Sequence, residues 1–139
     1  MLVGTNDVDK ALNKGVDINI DEWGKQYEKL LNEVKQENKN VKFILCTPFV
    51  ARSGKLAESK NFEKREQMIA ELTKKIEKIA KKYNAVVVPF NNLVHHTTAS
   101  HPSVPASYWI WDSIHPTPAM HYLMAEKWLK CSGLIKKRK

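Results

Sequence analysis

Val41-Lys42-Phe43-Ile44-Leu45-Cys46-Thr47-Pro48 is a β-rich run stopped by a proline, and its reading decides the fold. A strand with one wet face alternates apolar and polar residues. This one is nearly continuously apolar, which fits a strand covered on both faces, as in a parallel sheet sandwiched between helices.

Outward from this run, the flanking segments carry helical periodicity. Upstream, Trp23, Tyr27, Leu30, Leu31 and Val34 recur at helical spacing, predicting an amphipathic helix over about residues 21–38 with Asp21 as its cap. Downstream, a polar loop over 49–60, containing Arg52-Ser53-Gly54-Lys55, leads into a helix over about 61–84. Its buried stripe is Phe62, Ile69, Leu72, Ile76, Ile79 and Tyr83, a core face rather than a cofactor box. Ala85-Val86-Val87-Val88-Pro89-Phe90 is another short apolar strand.

The ends of the chain complete the pattern. Met1-Leu2-Val3 reads as the end of a strand whose beginning is missing, running into Gly4-Thr5-Asn6-Asp7, a turn sequence. Residues 91–116 read as a long connection with one or two helical turns near 92–98, and long connections in compact domains tend to carry function. A last helix over about 118–131 turns Met120, Leu123, Met124 and Trp128 inward and stops at Gly133. Strand, helix, strand, helix, strand, loop, helix is the order of an α/β domain built from right-handed crossovers on a parallel sheet.

At 139 residues, 42% hydrophobic and 27% charged, the chain is expected to form one domain with one core, and no apolar run is long enough to span a membrane. The formal charge of +8 comes mostly from lysines along the two helical stretches and from the tail Lys136-Lys137-Arg138-Lys139. With no helix-turn-helix, zinc-finger or basic-aromatic motif beside them, these charges favour solubility over a nucleic-acid partner. Cys46 and Cys131 lack the spacing of a disulfide framework or a metal knuckle. His95, His96, His101, His115 and His121, with Asp112, offer no pairing on one helix face that would hold a metal, and no cofactor is expected.

The candidate chemistry lies in Trp109-Ile110-Trp111-Asp112-Ser113-Ile114-His115-Pro116-Thr117-Pro118. A carboxylate three residues before an imidazole can fold back to accept the ring N–H, leaving the other nitrogen as a base. Thr117 as N-cap and Pro118 at the first helical position start a helix directly behind His115. Asp-x-x-His is common by chance, and a surface His near a surface Asp is the plain alternative. The setting tips the balance: in open parallel sheets ligands sit at the carboxyl ends of the strands, and Asn6 and His115 both follow strands at that edge.

Gly4-Thr5-Asn6-Asp7 after an apolar strand, together with Asp112-Ser113-Ile114-His115-Pro116-Thr117 before a C-terminal helix, resembles the third and fifth sequence blocks of the SGNH hydrolases, the GDSL-type esterases and lipases. The resemblance covers essentially the whole chain. It implies a three-layer flavodoxin-like fold with a parallel sheet and flanking helices, here partial and lacking the first two strands. It also implies His115 as general base and acid, Asp112 as its orienting partner, and Asn6 as an oxyanion-hole donor, although Asn6 is open equally to a turn role. Gly4, Trp109 and Trp111 are the substrate-side positions, with a core or rim role open for the tryptophans.

The family's nucleophilic serine, in a Gly-Asp-Ser type motif, and the glycine of its second block have no counterpart in this sequence. Ser53, Ser59, Ser100, Ser103, Ser107, Ser113 and Ser132 all lack the strand-to-turn context, and Ser113 lies inside the His loop. The resemblance thus implies the C-terminal portion of an ester hydrolase acting on a small-molecule, carbohydrate or lipid ester. The alternative is an inactive fragment or binding protein. An open strand edge is expected to make the chain marginally stable, self-associating or dependent on the missing segment. The ester and the cellular compartment are not legible.

Overall fold

The computed structural model describes residues 1–135, so the basic tail lies outside the described residues. The elements in chain order are α1 (Thr5–Asn13), α2 (Ile20–Glu37), β1 (Ile44–Cys46), α3 (Phe62–Tyr83), β2 (Val86–Val88), α4 (Phe90–Ser100) and α5 (Pro118–Ser132). Short 3-10 helices lie at Gly54–Glu58 and Ala106–Tyr108.

β1 and β2 run parallel, with Ile44 opposite Val86, Leu45 opposite Val87 and Cys46 opposite Val88. On the other side of β1, residue Leu2 makes a parallel bridge to Cys46, whose N–H donates to Met1 O at 2.8 Å. The expected strand end is therefore present as a third, very short rung.

Successive strand residues point to opposite faces, and here both faces are covered. Leu45 and Val87 join Tyr27, Leu31, Ile76 and Ile79 from α2 and α3. Cys46 and Val88 join Phe90, Val94, Met120 and Met124 from α4 and α5. Helices, sheet and helices thus form three layers around a partial parallel sheet, as the continuous apolar strands predict.

The helix boundaries follow local chemistry, with some departures from expectation. α2 is capped by Asn19, whose side chain accepts from Glu22 N–H at 3.0 Å, rather than by Asp21, which lies inside the first turn. α5 starts as expected, with Thr117 Oγ1 accepting from Met120 N–H, and ends at Gly133 with φ 75°. The Gly4–Asp7 turn continues directly into α1: Asp7 and Val8 N–H both donate to Gly4 O at 3.1 Å. Gly4 holds φ 121°, which calls for glycine, and a side-chain carbon there would also press on Leu72 Cδ1 at 3.0 Å.

Two loops are more ordered than their composition suggests. The connection after β2 opens with an eleven-residue helix, α4, in place of one or two turns, because Phe90, Val94 and Thr97 share a buried face. The segment read as a polar loop begins with Phe49, Val50 and Ala51, all buried at 5% exposure or less. In α2 the outer part of the apolar stripe is uncovered: Leu30 is 45% and Val34 37% exposed.

α1 is tied down by polar contacts as well as by Val8, Ala11 and Leu12. Trp23 Nε1–H donates to Asp7 Oδ2 at 3.1 Å. Arg65, buried on α3, donates from Nε and Nη2 to Asp9 Oδ1, both at 2.8 Å. Removing the carboxylate would strand a buried guanidinium, so Asp9→Ala is expected to destabilise the fold by about 3 kcal/mol. Urea denaturation followed by circular dichroism checks this, and a change below about 1 kcal/mol would contradict it.

Candidate active site

The loop carrying Asp112 and His115 is closed at its neck. Ile110 and Pro116 form an antiparallel bridge, Trp111 N–H donates to His115 O at 2.8 Å, and Thr117 N–H donates to Trp109 O at 3.0 Å. Thr117 also donates its hydroxyl to Tyr108 O at 2.7 Å while capping α5, so the helix start and the loop neck share one residue.

Inside the loop the Asp112 carboxylate is the hub. Oδ1 accepts from Ile114 N–H at 3.3 Å and His115 N–H at 2.9 Å, and the His115 ring approaches with Nδ1 2.7 Å from Oδ2 and 3.0 Å from Oδ1. A carboxylate only accepts, so the proton of this contact sits on Nδ1, and Nε2 of the neutral ring is left with its lone pair. Partial burial pushes the Asp112 carboxyl up, but the ring and backbone bonds from His115 and Ile114 outweigh it and hold the group below its ordinary value of 3.8. The side chain of His115 is 71% exposed, open to an incoming group.

The loop is also gripped from behind by the segment after β1. Ser53, buried, donates Oγ–H to Ile110 O at 2.6 Å and accepts from Ser113 N–H at 2.9 Å. Ser113 Oγ donates in turn to Ser53 O, and Ala51 N–H donates to Ser113 O at 2.9 Å. Ser113 sits at φ 81°, a strained conformation for a serine that these bonds sustain. Nothing in the local pattern announces this, because the partners are 57 to 60 residues apart in sequence.

The other predicted residues fall around this loop. Asn6 lies in the first turn of α1, exposed, and its amide makes no hydrogen bond among the described residues. Val8 of α1 and Ile114, beside His115, pack into the same core cluster, which brings the start of α1 and the His loop to one end of the domain. Gly4 is buried beneath that helix start. Trp111 is 73% exposed and, with Gly54, Lys55, Leu56, Asp112 and Ile114, lines a cleft of about 350 Å³. Trp109 is half-buried against the α4 and α5 core, edge-on to Tyr108 at 4.9 Å.

Among the described residues no group of three or more His, Cys, Asp or Glu side chains is disposed to hold a metal ion. Among the described residues, no helix is long and apolar enough to cross a membrane.

A protein from Parabacteroides merdae assigned as a GDSL-like lipase has a similar structure, with a TM-score of 0.81 at 29% identity, covering 96% of this chain and 58% of that one. An alpha/beta hydrolase enzyme from the metagenome of Lake Arreo, Spain, superposes with a TM-score of 0.75 at 19% identity, over 99% of this chain and 60% of its own. An acetylxylan esterase from Geobacillus stearothermophilus gives a TM-score of 0.72 at 21% identity, with the same two coverages of 99% and 60%. The chain therefore spans 58 to 60% of the length of these structures, and the latter two establish likeness of fold. No curated protein matches the sequence. The family profile for GDSL-like Lipase/Acylhydrolase matches residues 1–128, almost the whole chain, and the chain belongs to that family.

Proposed function

We propose that the chain supplies the general base, its orienting acid and an oxyanion donor for a serine-type ester hydrolase. The observation that carries this reading is the 2.7 Å contact from His115 Nδ1 to Asp112 Oδ2 on a loop closed at its neck, with the ring open to solvent. In the proposed mechanism a serine hydroxyl attacks the ester carbonyl as His115 Nε2 takes its proton. The resulting imidazolium is stabilised by Asp112, and His115 returns the proton to the leaving alcohol. The unengaged amide of Asn6 donates to the carbonyl oxygen as it becomes an oxyanion. Substrates are acyl or acetyl esters, with a carbohydrate ester favoured by the flat, exposed face of Trp111 beside the cleft and by the acetylxylan esterase among the structural neighbours.

No serine of the 139 residues stands in the family's Gly-Asp-Ser setting. Ser53 and Ser113 are buried and spend their hydroxyls on Ile110 O and Ser53 O. This commitment favours a second reading for the isolated chain, a binding protein without turnover. On p-nitrophenyl acetate the 139-residue chain is accordingly expected to give background hydrolysis. Turnover abolished by His115→Ala would place a nucleophile within the sequence and overturn that assignment. An in-frame Gly-Asp-Ser segment in the DNA upstream of Met1 would complete the enzyme.

The Asp112 hub sets a pH dependence. Its carboxyl is held below the ordinary value, so the bonds it accepts stabilise the loop fully above about pH 4 to 5 and are lost as the pH falls through the lowered value. The side-chain carboxyl carbon resonance of Asp112, followed by NMR, is expected to titrate with its midpoint below the ordinary carboxylate value of 3.8. A midpoint above the ordinary carboxylate value would contradict the hub.

The uncovered edge at residues 1–3, with Leu2 42% and Val3 43% exposed, is the surface proposed to receive another strand. Size-exclusion chromatography is expected to show dimers or larger species, and a soluble monomer at high concentration would remove the idea.

A further inference from the structure

We infer that the Ser53–Gly54 segment is a positioning element for His115, acting through Asp112 and Ser113 rather than touching the reacting atoms. The role assumes that Asp112 and His115 form the acid–base pair proposed above, and extends it to residues that no family block carries here.

The loop neck accounts for the two ends of the His loop but not for its middle. Asp112 is half-exposed, and a loop of this size would sample several conformations with only the Ile110–Pro116 bridge to close it. The middle is pinned by Ser53. Its single hydroxyl satisfies Ile110 O before Asp112 and Ser113 N–H directly after it, so the backbone on both sides of Asp112 is held by one buried atom. Ser113 Oγ and the Ala51 N–H add two further bonds across the same seam. These four bonds leave none of the seam's hydroxyls unpaired, which is the condition under which a buried polar network fixes a unique geometry.

Gly54 finishes the fit. At φ 58°, its Cα packs so closely behind the loop that a side-chain carbon would meet Asp112 Cα at 2.8 Å and Trp111 O at 3.1 Å. That space lies directly behind the residue that orients His115. The wall itself is braced by Arg52, which donates to Ala57 O at 3.0 Å and Glu63 Oε1 at 2.7 Å and lies 4.1 Å over the Phe62 ring. The chain from α3 to the imidazole is therefore continuous: Phe62 and Glu63 hold Arg52, the braced loop presents Ser53 and Gly54, and these set where Asp112 meets the ring.

The consequence that a merely structural serine would not share is control of the His115 tautomer. A neutral histidine in water favours the proton on Nε2, whereas the Asp112 contact demands it on Nδ1. Long-range proton–nitrogen NMR on the full 139-residue chain reads the two ring nitrogens directly at a pH where the ring is neutral. The wild-type chain is expected to show His115 with Nδ1 protonated. Ser53→Ala is expected to shift both nitrogens toward the aqueous mixture, and Ser53→Thr, which restores the hydroxyl, to recover them. Gly54→Ala keeps every hydrogen-bonding group yet presses on Asp112, and the same loss is expected, so it decides the question if Ser53→Ala does not fold. Ser53→Ala or Gly54→Ala with intact core resonances and an unshifted Nδ1 proton would overturn the inference. Because ring nitrogens rather than turnover are read, this outcome is separate from absence of esterase activity, and a wild-type ring without the Nδ1 proton would instead refute the acid–base pair itself.

Discussion

Burial of both faces of a very short parallel sheet is the constraint on which the rest of this structure depends. β1 and β2 are three residues each, too short for backbone hydrogen bonding alone to hold them. What holds them is alternation: Leu45 and Val87 enter the α2 and α3 layer, while Cys46 and Val88 enter the α4 and α5 layer. Each layer is a hydrophobic cluster that needs the sheet as its floor. The carboxyl ends of the strands are thereby set beside the start of α1 and the loop before α5, where the site lies.

The site is held by a different kind of force. The His loop has few apolar anchors of its own, Ile110 and Ile114 being the main ones. Its shape comes from directional bonds: the neck bridge, the Asp112 hub, and the buried exchange between Ser53 and Ser113. Hydrogen bonds specify angle as well as distance, so they orient the imidazole as well as place it. The hydrophobic layers put the loop in the right place, and the polar seam decides which way its histidine faces.

The sequence was most legible where a physical signal is local. Asp112 and His115 are three residues apart, so their contact needs only a tight loop, and the structure has it at 2.7 Å. Thr117, Pro118 and Gly133 act within one helical turn and bound α5 as read. The misreadings share a cause. Asp21 and Asn19 are both competent caps two residues apart, and only the path of the chain into α2 selects Asn19. Residues 49–51 looked like the entry to a polar loop until packing against distant helices buried them. α4 has weak periodicity, and its helix is secured by Phe90 and Val94 reaching the α5 core.

By itself, the sequence determined the layer order, the parallel sheet, the Asp112–His115 contact and the family likeness, because these rest on periodicity and short spacings that survive without a third dimension. Only the tertiary structure decided which strand residues face which layer, that Gly4 lies buried under the start of α1, and that Ser53 and Gly54 back the loop carrying Asp112 and His115. The last of these joins residues 60 apart in the chain. No pattern in a single sequence encodes which distant hydroxyl will meet a given backbone N–H, since that meeting exists only once the hydrophobic layers have closed around the sheet.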